Sequence, residues 1–582
     1  MKRILFFLLS CWAAAQPAAA QEFRWVQTGL NGTSPNIQNY SATAAIAQGN
    51  GRLAAAGYFH EEMTFTGQPT MVGIYQPRTA FAGSWQTDGT VNWVQPALST
   101  RFGEAQATGV DAAGNSYVAY LATGDISFGA TQVPVSGSGR STATVLVKFS
   151  PAGQVLWTRK LEASYSGATD PTVLISSLAV TANGSCVLGG QLYGTLALAG
   201  QPALVNNAAY GWPMAILLRI EANGSYTWTR AITGTGSEIK AVAVDASDNL
   251  WVAGGCGGTT DFGSGVTVTW PLYSSFVARY NSQGVPQWAQ LAGASNNRAG
   301  GMALGVAPDA AGNVFICGYF GNGGGDNQNH TGMFGPLTLT TTGNSGYSDG
   351  YLAKYDAQGM FQWVRTLRGA DTEWARAVAV SQRGEVYLSG AAYGGVQFGT
   401  TTLTANTFGY QGYVAKYSAT GDLRWLQGYG GSGTPFGGSN LYAGLGLITD
   451  GAGHLYVAGA FMGNTYFGTI YQSGPNQGVN YPYIAALDDL EIVTAAAHAR
   501  PDLVALTAYP NPSTGQVQLR WPATPRPLPL TVLDALGRTV HAATLPAAQA
   551  TATLQLAHLP KGVYVLRLTD GARVMTRRLV LQ

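Results

Sequence analysis

Hydrophobic and polar positions alternate along most of this chain in short runs, the periodicity of strands with one buried face, and glycine-centred turns separate the runs. The runs come in a fixed order. Each copy opens with an apolar strand that ends near an acid or a polar turn, as in Ala241-Val242-Ala243-Val244-Asp245 and Ala377-Val378-Ala379-Val380-Ser381. A tight turn follows, at Gly114-Asn115, Asp248-Asn249, Gly312-Asn313, Arg383-Gly384 or Gly453-His454, residue types that accept the positive φ a hairpin needs. A second strand then ends in glycine, as in NLWVAGG and HLYVAGAF. Next comes a variable excursion punctuated by Phe-Gly, at Phe128-Gly129, Phe262-Gly263, Phe334-Gly335, Phe398-Gly399 and Phe467-Gly468. A hairpin of third and fourth strands closes the copy on a tryptophan.

Six segments end this way: Phe81–Trp93, Val145–Trp157, Ile216–Trp228, Phe276–Trp288, Tyr351–Trp363 and Tyr413–Trp425. A seventh copy starts at Tyr483 and reaches Val493 without a tryptophan, and the missing strand stands near the other end of the chain as Phe23-Arg24-Trp25-Val26-Gln27. Fourth strands counted by tryptophan (Trp25, Trp93, Trp157, Trp228, Trp288, Trp363, Trp425) number seven. Second strands, near Leu53, Tyr117, Val187, Trp251, Phe315, Tyr387 and Tyr456, also number seven. The counts agree only if the Trp25 strand completes the last copy. Four-stranded copies cannot bury both faces alone, and radial packing solves that. The expectation is an all-β chain: a seven-bladed β-propeller over residues 21–493, with the N-terminal strand closing the last blade and removing a sheet edge.

The repeats resemble the β-propeller repeats of bacterial secreted proteins, over residues 23–493. The resemblance implies a fold and is nearly silent on ligand, because propellers host many functions. Composition agrees with short strands and tight turns and argues against disorder: 78 glycines, 11% aromatic and only 10% charged residues. After residue 20 no apolar stretch is long enough for a membrane helix. Residues 1–20 read as a signal peptide, with Lys2 and Arg3 before an apolar core and Ala18-Ala19-Ala20 as the cleavage site. Cys11 leaves with it, and Cys186, Cys256 and Cys317 fall on second strands as small buried hydrophobes, without the close spacing of a zinc site.

The composition changes after Val493. Residues 494–502 read as a linker, and residues 503–582 as a small Ig-like β-sandwich with strand candidates Val517–Trp521, Leu530–Asp534, Thr539–Ala543, Ala552–Leu556, Val563–Thr569 and Val574–Leu581. Val532, Leu533, Tyr564 and Leu566 are expected in its core. Three blocks occur in order: Tyr509-Pro510-Asn511-Pro512 with Gly515, then Asp534 with Gly537-Arg538, then Gly562-Val563-Tyr564. Together they resemble the type A C-terminal sorting domain of type IX secretion cargo. That resemblance implies a Gram-negative source, Sec export, passage across the outer membrane, and release or anchoring at the outer surface. The translocation and attachment machinery would be the partner. This segment holds eight Lys or Arg against two Asp, so the rest of the chain, whose total is only +2, is net negative. No nucleic-acid motif accompanies the basic residues, and no nucleic-acid partner is expected.

Candidate chemistry is sparse. The histidines form no metal or triad spacing, so no catalytic residue, metal or cofactor is expected. Asp111, Asp245, Asp309 and Asp450 recur before the turns; calcium would suit their carboxylates, but their repetition fits capping of the turn backbone. The recurrent Lys148, Arg219, Arg279, Lys354 and Lys416 fit inter-blade ion pairs or a solvated face. Binding candidates lie in the excursions: Asp326 and His330 in a polar insertion, and Trp212 and Trp270 as aromatics able to stack on sugars. A non-catalytic module for a glycan or protein ligand is the leading expectation. A secreted polysaccharide lyase or glycosidase on the same scaffold is the alternative.

Overall fold

The computed structural model describes residues 21–31, 41–73, 78–135, 142–165, 170–206, 211–295, 300–321, 329–342, 347–369, 372–404, 410–431, 444–474, 479–489, 506–521, 526–534, 538–570 and 573–582. The expected signal peptide and linker, together with Asp326 and Gly537, lie outside them. The chain divides into two compact units, Met1–Val493 and Thr494–Gln582.

In the first unit one antiparallel four-strand meander recurs. Its copy at residues 238–295 runs Glu238–Val244, Leu250–Asp261, Thr267–Tyr280, Pro286–Ser295. We number the sheets 1 to 6 in chain order, over residues 42–99, 102–161, 172–232, 238–295, 302–368 and 374–431. Sheet 7 is built from Gly446–Thr449, His454–Met462 and Asn480–Asp488, and its fourth strand is Glu22–Asn31. The N-terminal strand therefore pairs as the count of tryptophans requires, with Trp25 opposite Ala486 and Val26 opposite Ala485. First strands of successive sheets are neighbours, and that of sheet 7 is also a neighbour of that of sheet 1.

The tryptophans explain why the copies stay together. In five of the seven copies the fourth-strand indole donates to the third-to-fourth hairpin turn of the next sheet, whereas Trp93 and Trp425 have a buried Nε1 without a partner among the described residues. Trp157 Nε1 donates to Ala222 O at 3.0 Å, Trp228 to Ser282 O at 3.2 Å, Trp288 to Ala357 O at 3.0 Å and Trp363 to Ala419 O at 3.2 Å. Trp25 of sheet 7 does the same to Thr87 O of sheet 1, at 3.1 Å. The turn glycine serves twice here. Gly153 has φ +81°, and a Cβ there would come within 2.8 Å of the Trp93 ring; Gly284 has φ +70° and faces Trp228 in the same way. Only glycine offers both the left-handed backbone and the room.

The recurrent third-strand cations also point across the junction rather than into solvent. Lys148, Lys354 and Arg279 donate to Ala222 O, Ala419 O and Ala357 O, the same turn carbonyls that receive tryptophans. Ion pairing is part of this at Lys148, 3.2 Å from Asp111, and at Arg219, 3.0 Å from Asp248. A solvated face does not describe these residues: Lys148, Arg219 and Lys416 are buried.

The excursions differ most from expectation. Several fold back as short hairpins on the fourth strand of the preceding sheet rather than standing as free surface loops. Ile126–Phe128 and Thr131–Val133 extend sheet 1, and Thr331–Phe334 and Leu337–Thr340 extend sheet 4. Glu62–Phe65 and Met71–Val72, from the first copy, extend the Glu22–Asn31 strand of sheet 7. Their phenylalanines Phe65, Phe128, Phe334, Phe398 and Phe467 are buried. Each such side chain contributes about 1.5–3 kcal/mol of burial free energy. The Phe-Gly punctuation thus marks a latch between successive copies.

In the second unit, Thr507–Tyr509, Gln516–Arg520 and Thr551–Gln555 form one sheet. Thr539–Leu545, Leu528–Leu533, Gly562–Asp570 and Arg573–Leu581 form the other. Val517, Leu519, Trp521, Val532, Tyr564 and Leu566 meet in one core. Leu533 does not join them: it follows Val532 on the strand, so the period of two turns it to the opposite face.

Candidate functional site

Two concave regions of the first unit gather polar and aromatic groups. One is a channel of about 230 Å³ to which the first strand or its lead-in contributes from every one of the seven sheets. A local irregularity aims side chains into it. In six sheets the pairing of first and second strands skips one residue: Ala44, Gln106, Ser176, Lys240, Leu304 and Arg376. All six line the channel, and Leu445 does so for sheet 7. The skipped residue is a β-bulge, which bends its strand and re-aims a side chain. It also explains the glycine that faces the bulge in five of the six sheets, sheet 2 carrying Tyr120 there instead. A Cβ on Gly254 would lie 2.0 Å from Glu238 O, and one on Gly190 2.0 Å from Leu174 O, so the bulged strand leaves no space for any other residue.

The second region is a cleft of about 510 Å³ lined by Gln191, Tyr193, Trp212, Gly236, Glu238 and Tyr273. Sheet 3 supplies Gln191 and Tyr193 from the end of Cys186–Tyr193, and Trp212 just before Met214–Ile220. Sheet 4 supplies Glu238 at the start of its first strand and Tyr273 from its third. Glu238 is two residues from Lys240, so cleft and channel share one strand and one ion pair. Lys240 Nζ lies 2.7 Å from Glu238 Oε2, and Tyr273 donates its hydroxyl to Glu238 Oε1 at 2.8 Å. Burial, reinforced by the Glu238 charge, holds the hydroxyl of Tyr193 above the usual tyrosine range and that of Tyr273 well above it. Both stay protonated and serve as neutral hydrogen-bonding groups.

The sequence-predicted candidates are scattered. Trp212 lines the cleft and is 47% exposed. Trp270 lies on the same strand as Tyr273, opposite Gly258, and is not among the lining residues. His330 is buried, and its backbone exchanges bonds with Thr341: N donates to Oγ1 at 3.0 Å and O accepts from N at 2.9 Å. The recurrent acids hold turns. Asp111 Oδ1 accepts from Ala113 N and Asn115 N, and Asp245 and Asp309 repeat the pattern. The three thiols are buried, which pushes Cys186 and Cys256 up to about 12 and Cys317 higher still, far from a reactive thiolate. Asp349, also buried, is pushed up to about 6 by desolvation. Gln191, Tyr193 and Glu238 were not legible as site residues, since each sits within an ordinary alternating strand pattern.

In the second unit several of the motif residues are held by hydrogen bonds or ion pairs. Asn511 donates to Arg578 O at 2.7 Å and accepts from Val580 N at 2.9 Å, so its side chain pairs with the last strand. Gly515 O accepts from Leu556 N, Tyr564 donates its hydroxyl to Pro560 O at 2.6 Å, and Arg538 pairs with Asp534 at 2.7 Å. Tyr509, Pro510 and Pro512 are exposed, and Gly562 opens the strand that pairs with Leu581.

Residues 507–582 match a family model described as a secretion system C-terminal sorting domain. A sorting domain of this kind indicates secretion or surface attachment in a Bacteroidetes-type Gram-negative bacterium and implies interaction with the type IX machinery. No curated protein matches the chain. Among solved structures, the chain is similar to a fungal alcohol oxidase of the AA5 family in complex with copper, at 12% identity, over 81% of this chain and 95% of that one. The TM-score is 0.24, a likeness too slight to bear on fold or chemistry.

Proposed function

We propose that this chain is an exported β-propeller protein whose residues 21–493 form a seven-bladed ring that binds a ligand without transforming it, delivered by residues 503–582. Support for the ring comes from the matching strand counts, the neighbouring of first and last sheets, and a channel to which seven sheets contribute. The observation that carries the binding role is the cleft between sheets 3 and 4. It is open and aromatic, and its lining contains one carboxylate, Glu238, already held by Tyr273 and Lys240. Glycoside hydrolysis uses two carboxylates flanking one bond, with opposed roles. A single tethered acid suits orientation of a ligand better than its cleavage.

The test incubates the mature full-length chain with a panel of soluble polysaccharides and follows reducing ends and unsaturated products over time. No time-dependent product is expected from any of them. Product that grows with time and enzyme concentration would sink the non-catalytic reading in favour of a lyase or glycosidase.

A further inference from the structure

Four features of the cleft point to one ligand chemistry. First, Trp212 is exposed yet fixed. Its ring lies against Gly236, where a Cβ would approach to 2.8 Å, and Asn206 Nδ2 donates to both Trp212 O at 2.9 Å and Leu192 O at 2.8 Å. An indole held from behind with about half its surface in water is a preorganised apolar platform. Second, Gln191 Oε1 is buried and accepts no hydrogen bond from the described residues, an orphan that native proteins ordinarily satisfy. Third, Glu238 holds acceptor capacity beyond the bonds from Tyr273 and Lys240, since an ionised carboxylate offers about four lone-pair sites. Fourth, the one cleft anion is matched by its own cation, so the site presents acceptors without a net field.

We infer that this cleft is a subsite for a neutral saccharide, in which Trp212 stacks on a sugar face while Gln191, Glu238 and Tyr193 take hydroxyl groups around its edge. The inference rests on the proposal that the first unit is a binding module. A sugar ring carries C–H groups on its faces and O–H groups on its rim, which is the pairing of platform and acceptors that this cleft offers. A peptide presents one backbone donor per residue at strand spacing and matches it less well. The volume, about 510 Å³, falls inside the range of small-ligand sites.

Affinity electrophoresis of the mature full-length chain tests this, in gels containing a neutral polysaccharide (β-glucan, xylan or mannan) or an acidic one (alginate or polygalacturonate). Retardation by at least one neutral polymer is expected. Trp212→Ala should weaken it about tenfold, with Trp212→Phe recovering part of the loss. Glu238→Gln should weaken it to a similar degree through loss of a charge-assisted bond. Trp270→Ala should leave it unchanged, and circular dichroism melts would show each variant folded. Retardation that survives Trp212→Ala, or vanishes with Trp270→Ala instead, overturns the cleft assignment while leaving a binding module. Retardation by acidic polymers alone overturns the neutral ligand. No retardation by any polymer removes the saccharide and leaves a protein ligand for the module, whereas product in the turnover assay removes the module itself.

Discussion

Two junctions between sheets solve one packing problem with different groups. Between sheets 2 and 3 the chain is continuous, and the turn carbonyl of Ala222 receives both Trp157 Nε1 at 3.0 Å and Lys148 Nζ at 3.3 Å. Between sheets 6 and 7 no such hairpin exists, because the fourth strand of sheet 7 comes from residues 22–31. There the chain leaves its third strand at Asp489, which is fully buried and stands where a turn would begin. Its carboxylate lies 3.0 Å from Lys416 Nζ and accepts from Tyr387 OH at 2.6 Å. Trp425 has a buried Nε1 without a partner among the described residues, a feature it shares with Trp93 at the continuous junction between sheets 1 and 2. What the displaced strand changes is the surroundings of the third-strand cation. Lys148 has both a turn carbonyl and the buried Asp111 of its own sheet, whereas the buried acid beside Lys416 stands at the point where the next sheet's turn would begin.

The most severe way to break this comparison is to remove the displaced strand. Deleting residues 21–31 takes away the pairing along Asn480–Asp488, the Trp25 bond to Thr87, and buried Phe23. It also strands the Glu62–Phe65 hairpin, which among the described residues pairs otherwise only with its own return strand. The loss is expected to rival the whole net stability of a domain, about 5–15 kcal/mol. Thermal and urea unfolding of the truncated chain, followed by tryptophan emission, should show no cooperative transition at the native midpoint. An unchanged midpoint refutes closure by the N-terminal strand.

The next effect singles out the interrupted junction. Asp489→Ala removes the fully buried carboxylate that lies 3.0 Å from the Lys416 ammonium, which keeps Glu385 at 3.8 Å. Breaking a buried pair from one side costs about 3–5 kcal/mol, and the other contacts of Lys416 put the expected loss at the lower end. Lys416→Met in the same chain should recover most of that loss, since it removes the charge and keeps the volume. At the continuous junction Lys148 retains Ala222 O when its acid is removed, so any excess cost of Asp111→Ala belongs to the turn that Asp111 caps. Denaturant midpoints of the three variants decide it; failure of Lys416→Met to rescue Asp489→Ala would show that the acid does something other than neutralise.

Such pairs also mark what was legible beforehand. Strand order, the tryptophan repeat and the displaced strand could be read because each depends on local alternation and spacing, which survive in one dimension. The turn role of Asp111 was legible for the same reason, its partners being two and four residues away. Partners of the Phe-Gly hairpins were not, because each pairs with the preceding copy, and no residue type along the chain encodes that choice. The bulges left one trace, the glycine near the end of most second strands, whose meaning depends on a carbonyl from the facing strand. The cleft was half legible: an exposed tryptophan in an excursion is visible, whereas Gln191, Tyr193 and Glu238 converge only through the packing of sheet 3 against sheet 4.

The smallest expected effect is the sharpest test of the comparison, because it asks one atom to behave differently in two copies of one motif. Trp157→Phe keeps most of the ring and removes the Nε1–H that reaches Ala222 O, so it should cost about 1 kcal/mol, a single net hydrogen bond. The figure belongs at the lower end of the usual range because Lys148 still donates to that carbonyl. Trp425→Phe removes a buried donor that has no acceptor among the described residues, so the desolvation penalty it carried disappears with it. That substitution should therefore cost less than Trp157→Phe, by about 1 kcal/mol or more, and it falls near neutrality if the smaller ring packs without a void. Equal losses at the two positions would mean that the indole nitrogen contributes nothing at the junction of sheets 2 and 3 and that ring burial alone joins them; a larger loss at Trp425 would mean that the interrupted junction supplies an acceptor of its own.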